Sequence, residues 1–329
     1  MRCLICGSTE LGALYGGIRD RFGVAEGEYR FLHCHDCGSA TLDAPPAADD
    51  VAALYPERYT FNRADGETSA LRATLAALEW RLFYAPTYRR RVAIFRRLTG
   101  LRRGRLLEIG CGPGLLLAHF RDAGYDVEGA ELCAADAVHG RERYGLAIRE
   151  GRVETLPLEG GRYDAVVMIN VLEHILDPAA VLRRSYEVLR PGGCVMAGVP
   201  VVDSAYARLL GARWGAVTEA PRHVSIPSFD GTVGLLRRAG FGDVSSAPAP
   251  LAERAGGLVL SLLPSAATTV SYRRPSALAG VARRCAAALM MAPALVLAAM
   301  EQLPWQRPRR TEMMLFCGRK PGGGAERVS

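Results

Sequence analysis

The stretch Leu106–Gly114, LLEIGCGPG, decides how this chain is read. A short apolar run ends abruptly in glycines at 110, 112 and 114. A bare apolar run of this length fits a strand buried on both faces. Glycines placed directly after it let the backbone turn tightly and let a ligand approach the main chain. The segment that follows, GLLLAHFRDAG, is helical in pattern and closes at Gly124. Exposed amides at such a helix start favour an anionic group. The dinucleotide fingerprint G-x-G-x-x-G needs a glycine where Leu115 stands, and a P-loop needs a Gly-Lys-Ser/Thr that is absent. A pyrophosphate cradle is therefore weakly supported. Glu108 lies in the strand end, and Glu131 ends the next strand, 23 residues later. A carboxylate there can accept hydrogen bonds from ribose hydroxyls, which points to an adenosine-bearing ligand. The bland alternative is a nucleotide-like fold in which Glu108 is only a capped carboxylate.

Outward from this loop, strand and helix alternate at short spacing. YDVEGAE, LAIREG, YDAVVMIN and CVMAGVP read as further strands, separated by helical LCAADAVHGRERYG and DPAAVLRRSYEVLRPGG. The last of these helices has Pro178 near its start and Pro191-Gly192 beyond its end. SFDGTVGLLRRAGF is a helix capped by Ser228, and EMMLFCG is a late strand. The expected fold is α/β: a doubly wound, mostly parallel sheet covered on both faces. Residues 68–99 read as basic amphipathic helix interrupted near Pro86, with Leu71, Leu75, Leu78, Leu82, Val92, Phe95 and Leu98 as its apolar positions.

Jointly, these motifs resemble the class I methyltransferases that use S-adenosylmethionine. LLEIGCGPG is similar to that family's first motif and VEGAE to its second-strand motif. GRVETLPLEGGRYDAVVMINVLEHILDP is similar to the adenine-side loop and fourth strand, and LRPGGCVMAGVP to the turn into the fifth. The likeness runs from about Arg105 to Gly318 and is strongest over 106–200. It implies a Rossmann-like domain and S-adenosyl-L-methionine as cofactor. The implied cofactor-binding residues are Glu108, Gly110, Cys111, Gly112, Gly114, Glu131, Leu132, Glu154, Thr155 and Asn170. Glu108 would face the methionine end, Glu131 the ribose, Glu154 and Thr155 the adenine. Glu131 is a mild departure, since aspartate is more usual there. The resemblance also implies methyl transfer, for which the protein must align an acceptor and exclude water.

If the acceptor is a hydroxyl, a general base helps. His223, in APRHVSIPS, is the first candidate, because imidazole titrates near neutrality. The alternative is a structural histidine bound to a nearby carbonyl. His174, in the LEH signature, could touch cofactor or substrate or support them indirectly. Tyr206 and Trp214 could line an acceptor pocket or simply pack.

At the N-terminus, CLIC and LHCHDCG place Cys3, Cys6, Cys34 and Cys37 as two C-x2-C pairs. Two-residue gaps let each pair grip one tetrahedral ion, and thiolates favour zinc. The surrounding chain is too small and glycine-rich to bury much, so a metal would substitute for a core. A redox dithiol pair, an iron site, and a three-cysteine, one-histidine set using His33 or His35 are the weaker options. Four cysteines already complete a tetrahedron, and adjacent residues of an extended segment point opposite ways. The segment resembles zinc-binding units attached to some bacterial methyltransferases acting on sugars and secondary metabolites.

The net charge of +7 permits nucleic acid, anionic lipid or phosphorylated partners without choosing among them. Within the first 44 residues, Arg2, Arg19, Arg21 and Arg30 are outnumbered by Glu10, Asp20, Glu26, Glu28, Asp36 and Asp43, which argues against RNA. The base-methylating signature NPPY is also absent after the fourth strand. Residues 251–303 are unusually apolar for an insertion. They fit a helical cap, a homodimer interface, or a surface-lying segment in peripheral membrane contact. The run Cys285–Met300 is 16 residues with a proline inside, short of the roughly 20 needed to span a bilayer. No leader-like apolar core opens the chain, and the five remaining cysteines are scattered, which predicts a cytoplasmic setting, membrane-associated if the insertion lies on lipid.

The sequence thus predicts a zinc-binding unit at 1–45, a basic helical connector at 46–100, a class I methyltransferase domain at 101–320 that includes the apolar insertion, and a flexible tail at 321–329. The predicted activity is methyl transfer to a small-molecule or glycan acceptor, preferably at oxygen. The alternatives are an RNA methyltransferase guided by the zinc unit and a non-catalytic cofactor-binding scaffold.

Overall fold

The computed structural model describes residues 1–48, 50–55, 74, 78, 80–263, 277–302 and 310–322. Leu71, Leu75, the middle of the 251–303 insertion and the tail beyond Gly322 lie outside the described residues.

Two sheets organise the described residues. The larger has seven strands: β4 (Arg105–Ile109), β5 (Asp126–Glu131), β6 (Ile148–Glu150), β7 (Tyr163–Ile169), β8 (Leu189–Pro200), β10 (Gly242–Pro248) and β11 (Met313–Arg319). Their spatial order is β10-β11-β8-β7-β4-β5-β6. β4 to β8 pair in parallel, and β11 runs antiparallel between β8 and β10. From β4 the chain winds outward through β5 to β6, then returns to lay β7 on β4's other side. That reversal opens a crevice at the carboxyl ends of β4 and β7, where ligands of such sheets bind.

The bare apolar strands are covered on both faces, as expected. Leu107 and Ile109 of β4, Val166 and Met168 of β7, and Val195, Ala197 and Val199 of β8 share one core. Their alternate neighbours Leu106, Ala165, Val167, Cys194 and Met196 share the other. The period of two in a strand sends successive side chains to opposite faces. Each fully buried Leu or Val contributes roughly 1.5–3 kcal/mol.

The helices are α1 (Ala85–Thr99), α2 (Leu115–Asp122), α3 (Ala134–Tyr144), α4 (Pro178–Val188), α5 (Ala205–Leu210), α6 (Phe229–Arg238), α7 (Leu251–Leu262) and α8 (Ala277–Met300). A π-helical turn, Trp80–Tyr84, runs directly into α1, so the helix changes type beside Pro86, near the predicted interruption; a proline in the first turn of α1 forfeits no α-helical bond. Ser228 caps α6 by accepting from the amide of Gly231 at 2.8 Å. β8 begins at Leu189, earlier than the predicted CVMAGVP, with a register shift opposite Tyr163–Ala165. No helix among the described residues is long and apolar enough to cross a membrane.

The smaller sheet has the order β1-β2-β3-β9, from β1 (Leu11–Ile18), β2 (Tyr29–Cys34), β3 (Ala40–Leu42) and β9 (Ser225–Ile226). Three strands come from the cysteine segment and the fourth from far along the chain. Phe31, Ala40 and Leu42 pack with Trp214, Val217, Ala220 and Ile226 in one shared core. Too small for a core of its own, the unit borrows one from the 201–226 segment.

Candidate active site

A cavity of about 1160 Å³ opens at the crevice. It exceeds the roughly 300–1,000 Å³ typical of a single small-molecule site, which leaves room for a cofactor and an acceptor.

One end is built by the glycine loop. Gly110 follows β4 with φ 65°, and its amide donates to Ala130 O at 2.8 Å. A Cβ at Gly110 would stand 2.6 Å from Val171 Cγ2, so glycine is required by both conformation and space. Glu131 is fixed by two amides: Gly112 N donates to Oε2 at 2.7 Å and Cys133 N to Oε1 at 2.8 Å. Each oxygen retains a lone pair for a ligand hydroxyl. Glu108 is 4% exposed, and its Oε2 has no hydrogen-bond partner among the described residues. Burial pushes its carboxyl up to about 8, against the pull of Arg91 and with the push of Glu131. Arg91 itself is held by Glu253 of α7 through two bonds of 2.6 and 3.0 Å. Asn170 takes a left-handed φ of 55° with its amide on Gly198 O at 2.9 Å. Asparagine is among the few side chains that tolerate this region.

Cys111, Leu132 and Glu154 also line the cavity. Gly114 and Thr155 do not. Gly114 begins α2 against Leu146, and Thr155 is exposed with its hydroxyl on Arg152 O at 3.2 Å. The orphaned carboxylate oxygen of Glu108, the amide-fixed Glu131 and the apolar walls fit S-adenosylmethionine, with its ammonium group, ribose and adenine. Bound there, that cofactor supplies a methyl group already activated by its sulfonium.

The other end gathers His174 and His223, which lie 49 residues apart in sequence. Their rings meet edge to face with centroids 4.5 Å apart. His223 Nδ1 bonds to Ala216 O at 2.7 Å, and His174 Nδ1 to Arg222 O at 3.1 Å and to the Tyr55 hydroxyl at 2.9 Å. A carbonyl only accepts, so His223 carries its hydrogen on Nδ1 and presents an unprotonated Nε2, whereas His174 Nδ1 faces both a carbonyl and a hydroxyl. Burial pushes both imidazoles down to about 3, with the neighbouring ring adding to the effect on His174, so they are neutral at physiological pH. Glu173, Glu219, Arg21, Tyr55 and Trp214 complete this end. Of the two aromatics considered for an acceptor pocket, Trp214 lines the cavity, whereas Tyr206 packs among Ala255, Leu258 and Val259 of α7. Arg21, Tyr55 and Glu219 carried no sequence signal. Arg21 follows β1 of the small sheet, and Glu219 precedes its last strand, β9.

The four cysteines converge as the spacing predicts. Cys3 and Cys37 Sγ are 3.7 Å apart, Cys6 and Cys34 Sγ 3.5 Å, and all four lie within 4.8 Å of one another. Zn–S bonds of about 2.3 Å set tetrahedral S···S separations near 3.8 Å, so the donor set fits zinc. The two pairs are copies of one turn. Gly7 N donates to Cys3 O and Gly38 N to Cys34 O, both at 2.8 Å, while the amides of Cys3 and Cys34 donate to Ser8 O and Ser39 O. Gly7 and Gly38 adopt φ of 83° and 72°, which closes each turn after its second cysteine.

The family described as "Methyltransferase domain" matches residues 81–246, half of the 329-residue chain. The chain belongs to the methyltransferase family. Among curated relatives of this methyltransferase, a ubiquinone biosynthesis O-methyltransferase of Cereibacter sphaeroides is 40% identical over 97 residues, covering 28% of this chain and 39% of the relative. A "Probable S-adenosylmethionine-dependent methyltransferase" of Mycolicibacterium smegmatis is 36% identical over 115 residues, covering 34% of this chain and 45% of the relative. The methyltransferase thus matches less than half the length of either. Among solved structures, the [4+2]-cyclase SpnF aligns with a TM-score of 0.52 at 19% identity, over 85% of this chain and 98% of SpnF. Haemonchus contortus phosphoethanolamine N-methyltransferase 2 aligns with a TM-score of 0.51 at 17% identity, over 94% of this chain and 69% of that one. At these identities the likeness is one of fold, and a fold hosts more than one reaction.

Proposed function

We propose that this methyltransferase moves a methyl group from S-adenosylmethionine to an oxygen of a small-molecule or glycan acceptor. The observation that carries this reading is the placement of His223 in the same cavity that Glu108 and Glu131 line. His223 Nδ1 is fixed by Ala216 O, leaving Nε2 available to an acceptor hydroxyl. The O-methyltransferase relatives support oxygen over nitrogen as the acceptor atom. Glu108, Gly110, Gly112 and Glu131 would hold the cofactor, and Trp214 and Tyr55 would wall off water. The four-cysteine centre would hold structural Zn2+ and so fix the acceptor wall.

The test is His223→Gln with labelled cofactor and extracts containing candidate acceptors. The variant should retain cofactor affinity within about threefold while transfer falls by 10²-fold or more, the usual scale of a lost proton-handling group. Wild-type transfer in the variant removes His223 from the chemistry. Tight cofactor binding without transfer by the wild type to any extract favours a scaffold.

One observation favours a lipid-linked acceptor. Leu289 is 79% and Val296 62% exposed on α8, which also helps line the cavity through Met291. An apolar helical face beside a cavity mouth suits lying on a bilayer surface. Leu289→Glu with Val296→Glu should abolish flotation with anionic vesicles. Unchanged flotation of the folded double variant, or none by the wild type, removes this reading.

A further inference from the structure

We propose that Glu173, His174 and His223 bind one divalent transition-metal ion at the acceptor end of the cavity, a centre separate from the four cysteines. Three donor atoms, one from each side chain, lie within 4.8 Å of one another. An ion among atoms this close needs each to move by less than about 1 Å to reach the usual 2.0–2.2 Å from nitrogen or oxygen.

The donors are preset for this role. A ligating histidine generally donates its other ring nitrogen to a carbonyl or carboxylate, which fixes tautomer and ring plane. His223 does so here through Ala216 O, and His174 Nδ1 is held between Arg222 O and the Tyr55 hydroxyl. Glu173 is 1% exposed, and its Oε2 has no hydrogen-bond partner among the described residues. Leaving a buried carboxylate oxygen unpaired costs about 1–3 kcal/mol or more. Glu219 adds a second anomaly: its Oε2 stands 3.4 Å from the Nε2 of His223. With the hydrogen on Nδ1, that contact sets acceptor against acceptor. A cation in this corner relieves both the orphaned oxygen and the opposed pair, and Glu219 is placed to serve as a fourth ligand or to bind a metal-held water.

Two imidazoles and a carboxylate suit zinc, iron, cobalt or manganese better than magnesium or calcium. The cavity wall leaves room beside the three donors, so such an ion keeps an open position. In the function proposed above, an acceptor hydroxyl on that open position would be acidified. His223 would then serve as a ligand in place of the proton-accepting role given above, and the proton would pass to Glu219 or solvent. That consequence rests on the methyl-transfer reading; the binding site does not.

The test is metal stoichiometry of the full chain, with Co2+ as probe and the four-cysteine centre already filled by Zn2+. Calorimetric titration should show one further equivalent in the wild type. Glu173→Gln, His174→Gln and His223→Gln should each weaken it at least tenfold, with the zinc content unchanged. Because a buried variant can misfold, the wild type alone gives a second readout. Crystals soaked in Co2+ should show an anomalous peak between the three side chains. No further equivalent, no peak, or equal binding by all three folded variants overturns the site. A bound ion in a protein that transfers no methyl group upholds the site and sinks the functional reading instead.

Discussion

Arg222 and Asp20 form a fully buried ion pair across 202 residues of sequence, with Nη2 2.6 Å from Oδ1 and Nη1 3.2 Å from Oδ2. The Asp20 carboxylate also accepts from the amides of Phe22, Val24 and Ala25. Arg222 directly precedes His223, and its carbonyl orients His174. The pair therefore ties the cysteine segment to the acceptor end.

Removing one partner should be far more harmful than removing both. Asp20→Ala leaves a buried guanidinium uncompensated and should cost about 3–5 kcal/mol, read as a lowered denaturation midpoint. Asp20→Leu with Arg222→Met should recover much of that loss without recovering acceptor turnover. Equal stability of the single and double variants would contradict the pair's isolation from water. Burial alone would raise the Asp20 carboxyl, but Arg222 and the amides of Ala25 and Phe22 hold it below its ordinary value. A depressed carboxyl contributes stability that is present above its unfolded value and is lost as pH falls through the folded one. Asp20→Asn should flatten that acid limb of the stability profile.

Zinc loss should reach the acceptor before the cofactor. Leu42 N donates to Val224 O and Val224 N to Glu173 O, each at 2.9 Å, so the small sheet is continuous with the acceptor wall. Arg238 further clasps Ile5 O at 2.7 Å. Cys34→Ser should bind less than one equivalent of zinc and raise the acceptor KM severalfold, while calorimetric affinity for the cofactor changes little. Loss of cofactor binding first would place the centre's influence elsewhere.

Cofactor affinity should depend on pH through Glu108. Its carboxyl is held up at about 8 in the cofactor-free protein, while a cationic ammonium requires the ionised form. Affinity should tighten as pH rises toward 8, with proton release visible in buffers of different ionisation enthalpy. Glu108→Gln should abolish that dependence and weaken binding about 10–100-fold, the scale of a hydrogen bond to a charged group. The stability sign is opposite to that of Asp20. Between the ordinary value of 4.5 and about 8 the folded protein holds a proton that the unfolded chain has lost, so stability falls as pH rises across that window. A pH-independent affinity would remove Glu108 from the ammonium site.

Gly110→Ala should damage fold and cofactor binding together. Its φ of 65° costs a side chain roughly 1–2 kcal/mol, and Val171 Cγ2 would lie 2.6 Å from the new Cβ. Trimming Val171 to Ala should relieve the contact but not the backbone strain. Thermal melts of the single and double variants separate the two contributions, and full recovery in the double would show that φ carries no penalty.

The cofactor end was legible because its signals are local. Strand, glycine loop and helix are adjacent in LLEIGCGPG, and Glu131 closes the next strand, so periodicity and backbone freedom alone placed Glu108, Gly110, Gly112 and Glu131 together. The cysteine pairs were equally legible, since a two-residue gap repeated in one small segment needs only a turn on each side. Thr155 was harder: an adenine-side loop has no period to say which side chain turns inward, and this one faces solvent.

What the sequence by itself determined is the doubly wound sheet, its crevice, and the two local clusters of glycines and cysteines. The sequence offered His174 and His223 singly; the tertiary structure decided that they meet, and with which neighbours. Arg21, Tyr55, Glu173, His174, Glu219 and His223 come from four separated segments, and no short-range pattern links them. They meet because β9 adds a fourth strand to a sheet too small to bury its own face, and that pairing draws the cysteine segment over the crevice.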